Sequence, residues 1–277
     1  MESDKLMQPP TFTIITPTYK TPAHLLARTW ASLKAQTMTD WEWIVWDDTP
    51  NSDQVWRQLY GFAADERYRL RAFRGHTHSG RIGEVKRNAA MVAAGHIIVE
   101  LDHDDELTPD CLAELEGAFA DPEIGFAYSD WCEILPDGQS GRYPKGWAFG
   151  FGADYWSNQY GCWVMSAPPV NEITMSHIVS APNHVRAWRA DVYRQLNGHD
   201  PAYPVADDYE LCVRTFLATR MVHIPKMLYR QHIGPMTAQR TRNQQIQTLV
   251  ADISSQYATQ IHDRCVELGL ETRETGL

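Results

Sequence analysis

The chain has 277 residues, 43% of them hydrophobic and 11% aromatic, so it is long enough for one large or two small domains with a substantial core. A formal net charge of -10 disfavours attraction to polyanions, and we expect no general nucleic-acid binding. No apolar stretch approaches the length of a membrane span, and the N-terminal residues lack the basic and then apolar pattern of a signal peptide. These features predict a cytoplasmic protein without a membrane span.

The cysteines give no indication of thiol chemistry or of a zinc site. There are five of them, they are scattered along the chain, and no two have the C-x-x-C spacing. Cys111 and Cys212 lie in apolar helical patterns, and we expect both to be small buried hydrophobic residues.

The first hundred residues alternate between two hydrophobic periods. Short runs rich in β-branched and aromatic residues predict strands, and apolar residues at helical spacing predict helices between them. The predicted strands are residues 11–16, 41–46, 69–73 and 97–101, and the predicted helices are residues 24–36, 53–64 and 83–94. This alternation predicts an α/β protein with a mostly parallel central sheet flanked by helices.

Polar residues directly follow three of the predicted strands. Pro17, Thr18 and Tyr19 follow the first strand, Asp47 and Asp48 follow the second, and residues 102–105 follow the fourth. Right-handed crossovers place the carboxyl ends of parallel strands at one edge of a sheet, which is where ligands bind. We therefore expect these residues to lie on one rim and to form a site.

Residues 102–105, with the sequence Asp-His-Asp-Asp, gather three carboxylates where a buried strand ends. A divalent cation or solvent would relieve their mutual repulsion. The run is therefore either a cation site or a solvated acidic turn before the next helix. That helix is predicted to begin near Thr108 and Pro109, because these are a favourable N-cap residue and a favourable first helical residue.

Lys86, Arg87 and Asn88 lie in the first turns of the helix that is predicted to begin near Gly83. Cations oppose the helix dipole there, so these residues belong either to a solvated basic face or to an anion site. Neither of the two common glycine-rich phosphate loops follows the first strand, so a bound phosphate would need a metal ion. That requirement points to Asp104 and its neighbours.

The pattern is less regular beyond residue 110. Residues 124–135 are interpreted as a pair of strands, and residues 142–169 as irregular loops rich in Gly, Pro and aromatic residues. Trp163 and the aromatic residues near it either line a substrate pocket or fill the space beneath long loops. Apolar residues at near-helical spacing between 239 and 271 predict an amphipathic C-terminal helix that packs on the domain, with an oligomer contact as the alternative.

A second acidic pair, Asp207 and Asp208, precedes an apolar helical pattern. Carboxylates at a helix start are ordinarily partners of the helix dipole. His199 lies just upstream of the pair, and downstream a strand predicted near residues 221–225 leads to His232. The His232 imidazole is a candidate cation ligand, so the pair belongs either to a helix cap or to a second part of the site.

Together these motifs resemble glycosyltransferase family 2, whose members have the GT-A fold. The resemblance covers about residues 11–237 and rests on six elements in the family's order: Pro17-Thr18-Tyr19, Asp47-Asp48, Lys86-Arg87-Asn88 with Ala94-Gly95, Leu101 to Asp105 with Pro109, Asp207 to Leu211 with Arg214, and Tyr229 to His232. It implies inverting transfer of one sugar from a nucleoside diphosphate sugar, commonly a UDP-sugar, with Mn²⁺ or Mg²⁺ as cofactor. The acceptor hydroxyl is left open among a glycan, a lipid carrier, a protein and other hydroxyl compounds.

The resemblance also implies roles for individual residues. The expected nucleotide contacts lie along the rim: Pro17, Thr18, Tyr19, Asp47, Arg87, Asn88, Asp102 and His103. Asp104 and His232 are expected to hold the metal ion, and Asp208 is expected to be the general base. The remaining residues are expected to support the acceptor side: Asp207, Asp105, Trp163 and Arg214.

Two departures from the family pattern stand out. The family's loop after the second strand usually continues through Gly and Ser to a further Asp, whereas here Asp48 is followed by Thr49-Pro50-Asn51-Ser52-Asp53. Asp207 stands where Glu is commoner. No tryptophan-rich signature of processive synthases follows His232, so we expect transfer of a single sugar. We expect one domain over residues 1–277, with a nucleotide-sugar half at 11–110, an acceptor and catalytic half at 111–237, and a helical extension at 238–277.

Three other functions agree less well with the sequence. A sugar-nucleotide nucleotidyltransferase would carry a Gly-rich basic loop after the first strand, which the sequence Pro-Thr-Tyr at residues 17–19 is not. A His-Asp phosphohydrolase would place His103 and Asp104 on a helix rather than at a strand end. A catalytically silent sugar-nucleotide-binding protein would not need both Asp104 and Asp208.

Overall fold

One mixed sheet of ten strands organises the residues that this computed structural model describes, which are 8–66, 69–177, 181–234 and 242–272. The strands are β1 (Phe12–Thr18), β2 (Trp41–Asp47), β3 (Leu70–Arg74), β4 (Ile97–Glu100), β5 (Glu106–Leu107), β6 (Ile124–Ile134), β7 (Ala153–Ser157), β8 (Cys162–Ser166), β9 (Arg186–Arg189) and β10 (Arg220–His232). The helices are α1 (Ala23–Lys34), α2 (Gln54–Glu66), α3 (Ile82–Met91), α4 (Cys111–Ala118), α5 (Glu172–His177), α6 (Ala190–Gln195), α7 (Asp207–Ala218) and α8 (Asn243–Leu268), with a short 3-10 turn at Ala148–Gly150.

The first four strands confirm the predicted α/β alternation. β1 pairs in parallel with β2 on one side and with β4 on the other, and β3 extends the sheet in parallel beyond β2. Every residue of β1 and β4 is buried, because both faces of this part of the sheet are covered. The carboxyl ends of β1, β2 and β4 therefore meet at one edge, as the sequence predicts.

The second half of the sheet joins the first half through an antiparallel strand. The strand order is β3-β2-β1-β4-β9-β6-β10-β5, with the β7–β8 hairpin attached to β6. β9 is antiparallel to both β4 and β6, whereas β6 and β10 are parallel to each other. Because Val99 pairs with Ala187, the reversed direction brings Arg186, the first residue of β9, level with Glu100, the last residue of β4.

Two predictions for the second half are wrong. The predicted pair of strands at 124–135 is instead the single strand β6, Ile124–Ile134. Residues 142–169 are not only irregular loops, since they contain the β7–β8 hairpin, whose turn uses Gly161 at φ 63°. Aromatic residues on both faces of the hairpin hide the alternation that marks a strand, as the consecutive residues Tyr155 and Trp156 of β7 illustrate.

Two boundaries also differ from the prediction. α4 begins at Cys111, so Thr108 and Pro109 belong to the preceding turn. β10 covers residues 220–232 in one strand, although its register against β6 shifts between Ile224 and Met227. Pro225 lies in that irregular stretch, where its missing N–H group is tolerated.

The C-terminal amphipathic helix is confirmed as α8. Its residues Val250, Ile253 and Ile261 pack with Tyr209 and Val213 of α7 in a second hydrophobic core. Val266, which the spacing assigns to the same face, is instead 61% exposed. Among the described residues, no helix is both long and apolar enough to cross a bilayer.

The predicted character of the cysteines is confirmed. Cys111 and Cys212 are buried and unpaired, as are the other three cysteines. Burial raises the pKa of the Cys212 thiol to about 12, so this residue is an unreactive part of the core.

Candidate active site

The ends of β1 and β2 form the first part of the rim. Asp47 is fully buried, and its Oδ1 accepts hydrogen bonds from Thr18 Oγ1 at 3.2 Å and from the Thr49 amide at 3.1 Å. Burial raises the pKa of Asp47 in spite of these bonds. Pro17 precedes Thr18 within β1, so the structure brings these predicted residues together at the paired strand ends.

Tyr19 and Asp48 fix the loop that follows β3. The Tyr19 ring stacks on His78 with their centroids 4.0 Å apart, and the two side chains are 41% and 40% exposed. His78 Nδ1 lies 2.7 Å from Asp48 Oδ2, and the amides of Ser79 and Gly80 donate to the same carboxylate. The sequence interpretation missed His78, although two histidines just before α3 were a possible signal.

Asp105 is the structural member of the acidic run. Its Oδ2 accepts a hydrogen bond from the Tyr229 hydroxyl at 2.8 Å, and its Oδ1 accepts one from the His232 amide at 2.7 Å. The Tyr229 oxygen in turn accepts a bond from the Asp102 amide at 3.2 Å. Burial, with repulsion from Asp104 and Asp102, raises the pKa of Asp105 well above its usual range. Asp105 therefore ties the end of β10 to the run.

Asp102 and Asp104 are only partly buried, and they differ in their partners. Asp102 Oδ1 lies 3.2 Å from Lys86 Nζ. Burial favours the neutral form, but Lys86 and His184 outweigh it and lower the pKa of Asp102. Within the described ranges, Asp104 has no ion pair with a basic side chain, and burial together with the Asp102 charge raises its pKa. Asp104 is therefore the carboxylate of the run that most needs an added cation.

The two predicted histidines of this region lie in different settings. His232 Nε2 is 2.7 Å from Glu106 Oε2, and this contact lowers the pKa of Glu106. His103 is partly exposed beside Asp104. His232 therefore has an acidic partner of its own and would have to leave it in order to coordinate a metal ion.

The basic residues of α3 are divided between two partners. Lys86 is 4% exposed and contacts the acidic run, whereas Arg87 Nη2 donates to Asn197 Oδ1 at 2.7 Å in the segment after α6. Asn88 is partly buried next to Arg87. The nucleotide contacts expected of Arg87 and Asn88 remain predictions, and Lys86 is the residue of this group that the structure brings to Asp102.

Asp208, at the start of α7, is held by a buried arginine. Its Oδ2 lies 2.9 Å from Arg186 Nη1, and its Oδ1 accepts a bond from the Tyr209 amide at 2.8 Å. The Asp208 side chain is 29% exposed, whereas that of Arg186 is 3% exposed. Burial favours the neutral acid, but Arg186 and Lys86 outweigh it and lower the pKa of Asp208.

Asp207 differs from its neighbour in both burial and charge. Its side chain is 5% exposed, and its Oδ2 lies 3.7 Å from His199 Nε2. Burial, reinforced by the Asp208 charge, raises the pKa of Asp207 to about 6. A Cβ atom at position 83 would lie 2.5 Å from Asp207 Oδ2, so Gly83 permits α3 to approach α7 this closely.

A single buried carboxylate connects the two acidic clusters. Glu100 lies 3.3 Å from Lys86 Nζ and 3.7 Å from Arg186 Nη1. Since Lys86 also contacts Asp102 and Arg186 also contacts Asp208, charged contacts run without a break from one cluster to the other. Burial favours neutral Glu100, but the surrounding cations hold its pKa well below the usual range. We call these five residues the charged chain.

The segment before α7 supports the charged chain from the side. His199 Nε2 lies 3.0 Å from Glu100 Oε1, and His199 Nδ1 lies 2.8 Å from the Tyr193 hydroxyl. Arg214 pairs with Glu210 at 2.6 Å and donates to the Gly198 carbonyl at 2.8 Å. Arg214 therefore fixes the backbone just before His199.

His184 is a further residue that the sequence interpretation missed. Its ring stacks on Tyr229 with the centroids 4.4 Å apart. Burial, with the charge of Arg186, lowers the pKa of His184 to about 4, so the imidazole is neutral near pH 7. A neutral ring therefore packs against Tyr229, whose hydroxyl binds Asp105.

Trp163 lies on the β7–β8 hairpin. The Arg142 guanidinium lies 3.6 Å from the Trp163 ring centroid, and the Trp156 ring packs edge-on at 5.7 Å. Arg142 also pairs with Asp154 at 2.6 Å. Trp163 therefore contacts Trp156 of the hairpin and Arg142 outside it, and its expected acceptor role stays a prediction.

The acidic run fits a divalent cation only together with further ligands. Among the described residues, no group of three or more His, Cys, Asp or Glu side chains is arranged to hold a metal ion. Asp105 accepts hydrogen bonds from Tyr229 and His232, whereas Asp104 has a raised pKa and no basic side chain paired with it in the described part of the chain. One or two carboxylates with diphosphate oxygens and water make a common Mg²⁺ site. The residues fit a cation that binds with a nucleotide.

The fold resembles solved glycosyltransferases. Staphylococcus aureus TarS 1-349 in complex with UDP-GlcNAc matches with a TM-score of 0.67 and 15% identity, over 93% of this chain and 73% of that one. The mannosyltransferase PcManGT of Pyrobaculum calidifontis, in complex with GDP-Man and Mn²⁺, matches with a TM-score of 0.61 and 15% identity, over 95% and 76%. These matches confirm the expected GT-A fold.

Residues 13–163, more than half of the chain, match the family model for glycosyl transferase family 2, and the chain belongs to this family. It is 25% identical over 239 residues to the uncharacterized protein y4gI of Sinorhizobium fredii, covering 84% of this chain and 24% of that protein. It is also 25% identical over 235 residues to the O-antigen biosynthesis protein RfbC of Myxococcus xanthus, covering 83% and 16%. The chain thus spans a quarter or less of these two curated relatives.

Proposed function

We propose that this chain catalyses inverting transfer of one sugar from a nucleoside diphosphate sugar to an acceptor hydroxyl. The observation that carries the proposal is the charged chain, which joins the run expected to face the donor to the carboxylate expected to act as base. Family membership and the UDP-GlcNAc complex of TarS support a UDP-sugar as the first donor to test. The name of the RfbC relative favours a saccharide acceptor.

Asp208 is the better of the two adjacent carboxylates for the base. A base must reach the acceptor hydroxyl and be ionised when the proton is transferred. Both carboxylates are ionised near pH 7, but Asp208 is 29% exposed whereas Asp207 is 5% exposed, so Asp208 is the one that an acceptor can reach. In this proposal the acceptor oxygen attacks the anomeric carbon, the bond to the diphosphate breaks, and the hydroxyl proton passes to Asp208.

The rim supplies groups for the nucleotide. Within the described residues, Asp47 Oδ2 is buried without a hydrogen-bond partner, and an N–H group of a nucleobase would satisfy it. Tyr19 and His78 present an exposed stacked pair beside it that is suited to contact a base or ribose. Asp104 would hold the cation, with His232 as a second ligand, and the bound cation would neutralise the diphosphate.

The base assignment is tested with Asp208→Asn, a change that keeps the size of the side chain. With Mn²⁺ present, UDP-GlcNAc or GDP-mannose should raise the melting temperature of the variant as much as that of the native protein, because the donor contacts are intact. Release of nucleoside diphosphate from the stabilising donor should fall about 10²–10⁴-fold.

An Asp208→Asn variant that releases nucleoside diphosphate at the native rate would refute the base assignment. The same assay separates the other functions. A nucleotidyltransferase would instead join a nucleoside triphosphate to a sugar phosphate and release pyrophosphate. A silent binding protein would show the thermal shift without any turnover.

The cation assignment is tested by thermal shift with Mn²⁺ alone, UDP alone and both together. Mn²⁺ alone should change the melting temperature little, whereas both at about 100 times Kd should stabilise the fold by about 2.7 kcal/mol. Asp104→Ala should lose the extra effect of the pair. Glu116→Ala, an exposed acidic residue on α4, is the matched control and should keep it. Equal cooperation between Mn²⁺ and UDP in both variants would contradict the assignment.

A further inference from the structure

We propose that Arg186 is the positioning residue of the reaction, which holds the Asp208 carboxylate in place for the acceptor hydroxyl while buried Glu100 fixes Arg186 from behind. The proposal rests on the proposed function, since it takes Asp208 as the base. Arg186 would not contact the substrate, so it would act through Asp208.

The geometry of Arg186 supports this role. Its Nη1 lies 2.9 Å from Asp208 Oδ2 and 3.7 Å from Glu100 Oε2, so one nitrogen faces both carboxylates. Its Nε donates to the Pro182 carbonyl at 3.4 Å, which holds the other side of the guanidinium. The Arg186 side chain is 3% exposed and Glu100 is fully buried, so water has little access to the guanidinium or to the Glu100 carboxylate.

Because Asp208 is partly exposed, its contact with Arg186 can orient the carboxylate as well as stabilise the fold. A base that faces the acceptor cannot be packed on all sides, and a free carboxylate at the surface would sample several rotamers. Arg186 fixes one oxygen through an ion pair, and the Tyr209 amide fixes the other. The carboxylate is thereby oriented while 29% of the side chain stays exposed.

The charges that face Asp208 come from several elements. Arg186 of β9 and Lys86 of α3 stabilise its ionised form, whereas Glu100 of β4 opposes it. Asp207 lies on the same helix, and the Asp208 charge helps to raise its pKa. Loss of Arg186 removes the closest cation and leaves both acidic neighbours, so the pKa of Asp208 must rise.

The proposal is tested first by the titration of Asp208, which needs no ligand. The ¹³Cγ resonances of a protein labelled at aspartate are followed against pH, and the resonance missing from Asp208→Asn identifies Asp208. In Arg186→Met its midpoint should rise by about 1–3 units, the effect expected of a lost arginine partner. Arg186→Lys should restore part of the shift.

Arg189→Met is the matched control. Arg189 lies on the same strand and donates to the carbonyls of Ile124, Phe119 and Asp121, and it has no carboxylate partner in the described part of the chain. Its loss should lower stability without moving the Asp208 midpoint. An unchanged Asp208 midpoint in a folded Arg186→Met variant would overturn the proposal. If Arg186→Met does not fold, Arg186→Gln gives the same comparison with a neutral polar side chain.

Kinetic measurements distinguish the effect of Arg186 on the orientation of Asp208 from its effect on the Asp208 pKa. At pH 8, where Asp208 is ionised in either protein, Arg186→Met should lower kcat for nucleoside diphosphate release by up to about 100-fold with an unchanged KM for the donor. The acid limb of its pH profile should also move to higher pH. A native kcat and pH profile in Arg186→Met, combined with an inactive Asp208→Asn, would refute this inference alone. A fully active Asp208→Asn would refute both proposals.

Discussion

The acidic clusters at Asp102 to Asp105 and at Asp207 to Asp208 come from opposite halves of the chain but combine buried and partly exposed carboxylates in a similar way. Each contains a buried carboxylate whose pKa is raised, Asp105 in the first and Asp207 in the second. Each also contains a partly exposed carboxylate whose pKa is lowered, Asp102 and Asp208 respectively. Asp104 of the first cluster has no counterpart in the second, because it is partly exposed and its pKa is raised.

The two clusters also use the same kind of support. Lys86 stabilises the charge on Asp102, Arg186 stabilises the charge on Asp208, and both cations contact Glu100. A buried cation is costly unless it is paired, so Glu100 compensates both at once. The protein itself therefore stabilises the ionised forms of Asp102 and Asp208 before any ligand binds.

Lys86→Met should cause the largest loss of unfolding free energy among these variants, because Lys86 pairs with both Glu100 and Asp102. The change leaves Glu100 and Asp102 without their nearest shared cation, and loss of one partner from a buried ion pair typically costs about 3–5 kcal/mol. Urea unfolding followed by circular dichroism measures the loss of unfolding free energy. The double variant Lys86→Met with Glu100→Gln should recover part of it, because the uncompensated buried charge is removed.

Lys226→Met provides the control for this prediction. Lys226 Nζ lies 2.6 Å from Glu114, but its side chain is 54% exposed, and exposed ion pairs contribute little to stability. Equal losses in Lys86→Met and Lys226→Met would show that Glu100 does not depend on a buried cation, and the parallel between the clusters would fail.

The charged chain also marks the limit of what could be predicted from the sequence. The strands β1 to β4 and both acidic clusters were found, because strand periodicity and consecutive carboxylates are local signals. The roles of Glu100 and Arg186 were missed. Their contacts depend on the insertion of the antiparallel strand β9 between β4 and β6, and no local pattern specifies which distant strands become neighbours.

Tyr229→Phe should have the next largest effect. The hydroxyl donates to the buried Asp105 carboxylate and accepts from the Asp102 amide, so its loss leaves two polar groups unsatisfied. Such a loss costs about 1–3 kcal/mol. Tyr60→Phe is the matched control, because Tyr60 is 69% exposed, and it should leave the urea midpoint nearly unchanged. A Tyr229→Phe midpoint equal to that of Tyr60→Phe would contradict the structural role of Asp105.

Asp207→Asn should have the smallest effect on the free energy of unfolding. The effect should show as a change in how that free energy depends on pH. The folded-state pKa of Asp207 is raised from 3.8 to about 6, so the folded state binds the proton more tightly than the unfolded state. The stability that this provides is present below pH 4 and is lost as the pH rises through 6. Between pH 5 and pH 8 the native protein should therefore lose roughly 1.4 kcal/mol relative to Asp207→Asn, from one pKa unit of linkage.

Asp208→Asn gives this prediction its internal control, since the pKa of Asp208 is shifted in the opposite direction. Its contribution to stability is present above the unfolded pKa near 3.8 and is lost only as the pH falls through its lowered folded value. The stability difference between the native protein and Asp208→Asn should therefore change less from pH 5 to pH 8 than the difference for Asp207→Asn, because only the part of the Asp207 shift that comes from the Asp208 charge is lost. Urea unfolding of the native protein and both variants at pH 5 and pH 8 tests this prediction. An equal change with pH in the two stability differences would mean that Asp207 and Asp208 do not have the different pKa values described here.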